Sequence, residues 1–127
     1  MTMTQSDPSA AQRRQEAEQA LAAAFARART LFASRIEEQI IRIEQCRLDL
    51  ASGRAPDRAL GEIEAHAHKI AGVAETVGYP RVGELAAQVE ALIGQGRRAG
   101  LSEIAILGEI EQELENLLDA LEAALDG

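Results

Sequence analysis

The sequence predicts an all-α fold, an antiparallel up-down four-helix bundle that is preceded by an additional N-terminal helix. Three observations lead to this prediction. The 127 residues include 25 alanines and only three aromatic residues, a composition that favours helices over sheets. Large apolar residues recur every three or four positions, and no long segment alternates apolar with polar residues. The breaks between these segments are short, and short loops join helices that pack as antiparallel neighbours.

The chain is predicted to form one domain. Residues 1–9 are polar, lack any periodicity and are expected to be a disordered N-terminus. Residues 10–127 then form the single helical domain, whose core lies at about residues 32–126. This length suits one domain of ordinary size.

The first predicted helix, residues 10–28, carries only Leu21 and Phe25 as large apolar side chains. Such a thin stripe is typical of a helix laid across a bundle. The next helix is predicted to begin at a capping box, Ser34 to Glu37, in which the two side chains satisfy backbone donors. No glycine or proline separates the two helices, so one long helix is the alternative. The apolar stripe of the second is Ile36, Ile40, Ile43 and Leu50.

The third helix is predicted to begin at Asp57 as its N-cap, after the break that ends in Pro56. Gly78 ends it, because glycine adopts the left-handed conformation and Pro80 cannot continue the helix. Its apolar positions alternate steps of three and four residues. They are Leu60, Ile63, Ala67, Ile70, Ala74 and Val77.

The fourth helix follows, and the glycine-rich residues 94–100 are interpreted as a loop. Ser102 is the predicted N-cap of the last helix. The inner face of the fourth helix comprises Val82, Leu85, Val89, Leu92 and Ile93. The stripe of the last helix comprises Ile104, Leu107, Ile110, Leu114, Leu117, Leu118, Leu121 and Leu125.

Composition and charge exclude several classes of protein. The formal charge is −8, and the chain has one lysine and three aromatic residues. It therefore lacks the positive charge and the stacking side chains that bind nucleic acid. No apolar run reaches the roughly 18 residues of a membrane span, and the polar start resembles no signal peptide. We therefore expect a cytoplasmic protein that binds neither nucleic acid nor membranes.

The single cysteine and the two histidines are the candidate reactive groups. Cys46 lies among apolar residues and is interpreted as a small core residue. His66 and His68 are two residues apart, so they point to different sides of a helix and do not form a metal site. The helical wheel places His68 on an exposed flank. From the wheel alone, an ordinary surface histidine remains the alternative.

The residues around His68 resemble the signature of histidine phosphotransfer (HPt) domains. In this signature a small residue precedes the histidine, an apolar residue follows two positions later, and glycines lie four and ten positions later. The chain has Ala67, His68, Ile70, Gly72 and Gly78 at these positions. The downstream segment from Leu85 to Glu90 is similar to the family's next helix.

The resemblance implies a phosphocarrier rather than an enzyme with its own substrate. His68 would accept a phosphoryl group on Nε2 and pass it to or from the aspartates of receiver domains. Glu90 matches a position at which the family carries a glutamate that orients the imidazole, although an exposed helix glutamate is the alternative. The family usually has lysine three residues after the histidine, where this chain has Ala71, and Lys69 is a candidate phosphoryl contact instead.

The predicted partners are receiver domains of response regulators, a sensor histidine kinase, or both, and the chain is expected to be a monomer. They would dock on Glu64, Ala65, Ala71, Gly72 and Glu75. No cofactor and no metal are expected in this chain, since Mg²⁺ would be held by the receiver. The alternative function is a non-catalytic helical module that binds a receiver or kinase without phosphotransfer.

Overall fold

A computed structural model of the protein describes residues 8–126 as four helices, with no strand in that range. The helices are α1 (Pro8–Ala51), α2 (Pro56–Ala74), α3 (Pro80–Arg98) and α4 (Glu103–Asp126). The all-α prediction is therefore confirmed. The predicted disordered N-terminus lies outside the described residues except for Pro8 and Ser9, which begin α1.

Helix α1 is continuous over 44 residues, so the additional N-terminal helix does not form a separate element. Alanine, arginine, glutamate and glutamine dominate its first half, and all four residue types favour helix. The capping box at Ser34 is also wrong. The Ser34 hydroxyl donates to the carbonyl of Leu31 at 2.7 Å, a bond that a serine makes inside a helix rather than at its start.

Helix α2 begins with Pro56, which suits the first helical position because its missing N–H needs no partner there. The prediction that Asp57 is the N-cap is wrong, since Asp57 lies within the first turn. Its negative charge there interacts favourably with the positive end of the helix dipole. The helix ends at Ala74, four residues earlier than predicted. The turn that follows it closes, as predicted, at Gly78, whose φ is +97°. The amides of Gly78 and Tyr79 bond to the carbonyls of Glu75 and Ala74, the pairing of a Schellman motif.

Helix α3 continues through the glycine-rich segment, so the loop predicted at residues 94–100 is shorter than expected. A Cβ atom on Gly96 would lie 2.6 Å from Cγ1 of Ile106 in α4. Glycine at this position therefore lets α3 and α4 approach closely, and this packing offsets its weak helix propensity. Only Gly100 takes a positive φ, +73°, in the turn that follows.

Helix α4 is capped as predicted, because the amide of Ala105 donates to Oγ of Ser102 at 3.2 Å. Its stripe differs from the prediction at both ends. Ile104 and Leu125 are exposed, whereas Ile106 is buried against Gly96. The bulk of the stripe, from Leu107 to Leu121, is buried as predicted.

Helices α2 and α4 flank α1, the same two helices flank α3, and α2 and α4 also make a smaller contact with each other. The buried side chains of the described residues are all apolar and form one cluster. In the described range, no helix is both long enough and apolar enough to cross a membrane. The largest fully buried side chains are Ile36, Ile43, Leu50, Leu60, Ile63, Ile70, Ile93, Ile106, Ile110, Leu114, Leu117 and Leu121.

Candidate functional site

The candidate site is centred on the imidazole of His68, in the middle of α2. Its Nδ1 lies 2.6 Å from Oε2 of Glu90 in α3. The imidazole side chain is 75% exposed and that of Glu90 is 34% exposed. Because a carboxylate oxygen only accepts, this contact assigns a proton to Nδ1 and leaves Nε2 without one when the ring is neutral.

The positions of both side chains follow from the apolar stripes of their helices. Ala67 and Ile70 turn into the core on either side of His68, which leaves the histidine at the edge of α2 that faces α3. Val89 is buried immediately before Glu90. At the end of the same α2–α3 seam lies Gly83, where a Cβ atom would be 3.7 Å from Cβ of Ala74, the last residue of α2, so the two helices lie close together.

Small residues surround His68 within one helical turn. Ala65 and Gly72 are exposed and Ala71 is partly buried. A Cβ atom on Gly72 would meet no other atom within 4 Å, so no packing within the described residues requires glycine there. A large partner therefore has open access to the imidazole from this side.

Two glutamates lie on either side of this opening, one within α2 and one directly after its last residue. Glu64, four residues before His68, is ion-paired with Arg97 of α3, with Oε1 and Nη1 2.9 Å apart. Glu75, seven residues after His68, is exposed. Residues four and seven apart share one face of a helix, so both carboxylates border the face that carries His68.

Lys69 lies on a different flank of α2 from His68. It lines a groove against α1 together with Phe32, Arg35 and Gln39. His66 lines a neighbouring pocket with Lys69. The pKa of His66 is lowered, chiefly by partial burial and next by the charge of Lys69. The structure therefore brings Glu90, but not Lys69, to the imidazole of His68.

Cys46 is buried in the core, where its thiol donates to Oε2 of Glu62 at 3.0 Å. Burial, followed by the hydrogen bond to Glu62, raises the pKa of the Cys46 thiol to about 12. A thiol that stays protonated is a poor nucleophile. The interpretation of Cys46 as a core residue is thus consistent with its burial and its pKa.

Arg97 is the residue near the site that sequence reasoning missed. It was assigned to a loop, but α3 continues to Arg98. Once the helix is extended, the spacing itself is informative, because Arg97 follows Glu90 by seven residues and so returns to the same face of α3.

An exposed imidazole whose Nδ1 donates to a carboxylate can act as a nucleophile through Nε2. Nδ1 lies against Glu90, and most of the imidazole side chain is open to solvent. Among residues 8–126, no three histidine, cysteine, aspartate or glutamate side chains are grouped so as to hold a metal ion.

Comparison with known proteins gives one match. A family model described as the Hpt domain matches residues 8–124. Neither a curated protein nor a solved structure gives a significant match to the chain.

Proposed function

Because the chain belongs to the Hpt domain family, we propose that it is a phosphorelay intermediate that accepts a phosphoryl group on His68. Members of this family carry phosphoryl groups between signalling proteins. The observation that most supports His68 as the acceptor is its exposed imidazole, with Nδ1 2.6 Å from Oε2 of Glu90.

The proposed reaction uses the Nε2 lone pair of His68 to attack the phosphorus of an aspartyl phosphate. The Nε2–P bond forms as the P–O bond to the receiver breaks, and the receiver's aspartate leaves as a carboxylate. The Nδ1 proton stays in place, so the phosphorylated ring gains a positive charge. The Glu90 carboxylate offsets that charge, and the same bond holds the ring in the tautomer with Nε2 free.

The proposed docking surface consists of the small residues around His68 with acidic residues at its rim. Gly72 and Ala65 leave room for the partner to close over the imidazole, since both are exposed and neither carries a large side chain. Ala71, Glu64 and Glu75 complete this surface. The Mg²⁺ that serves phosphoryl transfer is expected in the acidic site of the receiver, and the chain is proposed to act as a cytoplasmic monomer.

The fold that supports this site is proposed to be an antiparallel up-down four-helix bundle. Contacts along the first two pairs of consecutive helices run in opposite directions. Cys46 of α1 meets Glu62 of α2, and Phe32, earlier in α1, meets Tyr79, which follows α2, with ring centroids 5.4 Å apart. Along α2 and α3, Glu64 pairs with Arg97 while His68 pairs with Glu90.

The test is phosphoryl labelling of the full chain by phosphorylated receiver domains and, separately, by phosphoramidate. We expect one acid-labile, base-stable label, absent from a His68→Gln variant. His66→Gln is the matched control, because His66 lies two residues away on α2 and faces α1, and it should be labelled like the wild type.

A label that persists in His68→Gln would contradict the assignment of His68. A wild-type chain that binds receivers yet takes no label from either donor would favour the alternative, a helical interaction module without phosphotransfer. The presence of Ala71 where the family usually has lysine is the observation that favours this alternative.

A further inference from the structure

The α2–α3 seam carries a second charged pair directly beside His68. Arg97 Nη1 lies 2.9 Å from Oε1 of Glu64, and the side chains are 44% and 30% exposed. Glu64 precedes His68 by four residues, so the two side chains are neighbours on one face, with Cβ atoms about 6 Å apart. Arg97 thus reaches across the seam to within one helical turn of the imidazole.

A phosphoryl group on Nε2 would change the charge balance of this seam. It adds about two negative charges at a place that already holds the carboxylates of Glu64 and Glu90. An arginine is suited to such a group, because its planar guanidinium donates two parallel hydrogen bonds to phosphoryl oxygens.

The other basic residues after residue 60 are directed elsewhere. Lys69 faces the groove beside α1. Arg81 Nη1 lies 3.8 Å from Glu84 at the opposite end of α3. Arg98 folds back towards Gly94, where a Cβ atom would lie 3.3 Å from Nη1 of Arg98. Arg97 is therefore the basic residue of these four that the structure places beside His68.

We propose that, once His68 is phosphorylated, the Arg97 guanidinium leaves the Glu64 carboxylate and binds the phosphoryl group on His68. This inference rests on the proposed function. The exchange forms and breaks no covalent bond, since the guanidinium N–H donors move from a carboxylate to phosphoryl oxygens. It is an easy exchange because the Glu64–Arg97 pair is partly exposed, and exposed ion pairs are weak.

The test is a ³¹P NMR titration of the full chain after labelling with phosphoramidate. A cation beside the phosphoryl group favours its dianion. We therefore expect the pH at which the group takes up a proton to rise by about one unit in Arg97→Gln. Arg98→Gln is the matched control, because it removes the same charge from the next residue and should leave that pH unchanged.

Two further variants separate phosphoryl binding from a purely structural ion pair. Glu64→Gln frees Arg97 and removes a negative charge, so the titration should shift to lower pH, opposite to Arg97→Gln. Adding Ala71→Lys to Arg97→Gln should restore the wild-type midpoint, because the new lysine lies one turn from His68. The Nε–H signal of Arg97 should move on labelling in the wild type and stay in place in His68→Gln.

The outcomes distinguish this inference from the proposed function. A phosphohistidine signal with equal midpoints in the wild type, Arg97→Gln and Arg98→Gln would overturn the role of Arg97 alone. Absence of any phosphohistidine signal from the wild type would overturn the proposed function and the role of Arg97 with it.

Discussion

The contact between His68 and Glu90 brings together two side chains that are 22 residues apart in the sequence. Resemblance to a family pointed to both residues, whereas the helical wheel placed only His68 on an exposed flank. A wheel describes one helix, so it gives no information on which residue of the next helix lies opposite. The pairing depends on how closely α2 approaches α3, and no single residue of either helix determines that distance.

Replacement of Glu90 tests its proposed role at the level of one hydrogen bond. A charge-assisted bond contributes about 1.5–3 kcal/mol, and partial exposure favours the lower end. We therefore expect Glu90→Ala to slow labelling of His68 by phosphoramidate about tenfold without changing the circular dichroism spectrum. Glu84→Ala, an exposed glutamate on the same helix, serves as the control. An unchanged labelling rate in Glu90→Ala would remove its proposed role.

Two features at helix ends were predicted correctly, because local backbone geometry decides them. Gly78 has the left-handed conformation expected of it, and Ser102 caps α4. The capping box at Ser34 failed because the same residue types also occur inside helices, where a serine hydroxyl bonds back to the preceding turn. Local sequence does not distinguish these two environments.

The glycine-rich end of α3 could not be predicted from propensity. Glycine disfavours helix by about 1 kcal/mol relative to alanine, so two glycines close together indicate a loop. Here Gly96 contacts Ile106 of the next helix, and tertiary packing overrides propensity. The same error left Ile106 out of the predicted stripe of α4, because Ile106 is buried against Gly96.

The helix glycines give opposite predictions for the same substitution. Gly72→Ala should raise the free energy of unfolding by about 1 kcal/mol, because a Cβ atom there meets nothing within 4 Å. Gly96→Ala gains the same propensity but places its Cβ 2.6 Å from buried Ile106, and such overpacking costs about 1–3 kcal/mol. We expect a net loss of about 1 kcal/mol.

Urea denaturation of the two glycine variants and the wild type provides the measurement. The propensity gain is common to both substitutions, so the difference between the two variants isolates the contact between α3 and α4. If Gly96→Ala were as stable as Gly72→Ala, the close approach of these two helices would be wrong.

Across the whole molecule, charge is divided between the two halves of the chain. Residues 1–60 contain nine arginines and eight acids, whereas residues 61–127 contain four basic residues and thirteen acids. Arg47 of α1 links the halves, with Nη1 2.8 Å from Glu115 and Nη2 3.5 Å from Glu111 of α4. The net charge of −8 favours solubility rather than attraction to the acidic site of a receiver. Recognition is therefore expected to depend on the shape of the surface around His68.

The core of the molecule begins well inside α1, so the first half of this helix should be dispensable for stability. Residues 11–27 are exposed throughout, and Phe32 is the first buried side chain of the described residues. Removing residues 1–23 should leave the free energy of unfolding, measured by urea denaturation, within about 0.5 kcal/mol of the wild type, because little apolar surface is lost from the core. The far-ultraviolet helical signal should fall at the same time, since the deleted residues from Pro8 onwards are helical.

Leu21→Ala together with Phe25→Ala in the full chain is the matched control, and it should be equally neutral. A loss of stability that grows with protein concentration would instead show that a second copy of the chain covers this stripe, and would contradict the proposed monomer.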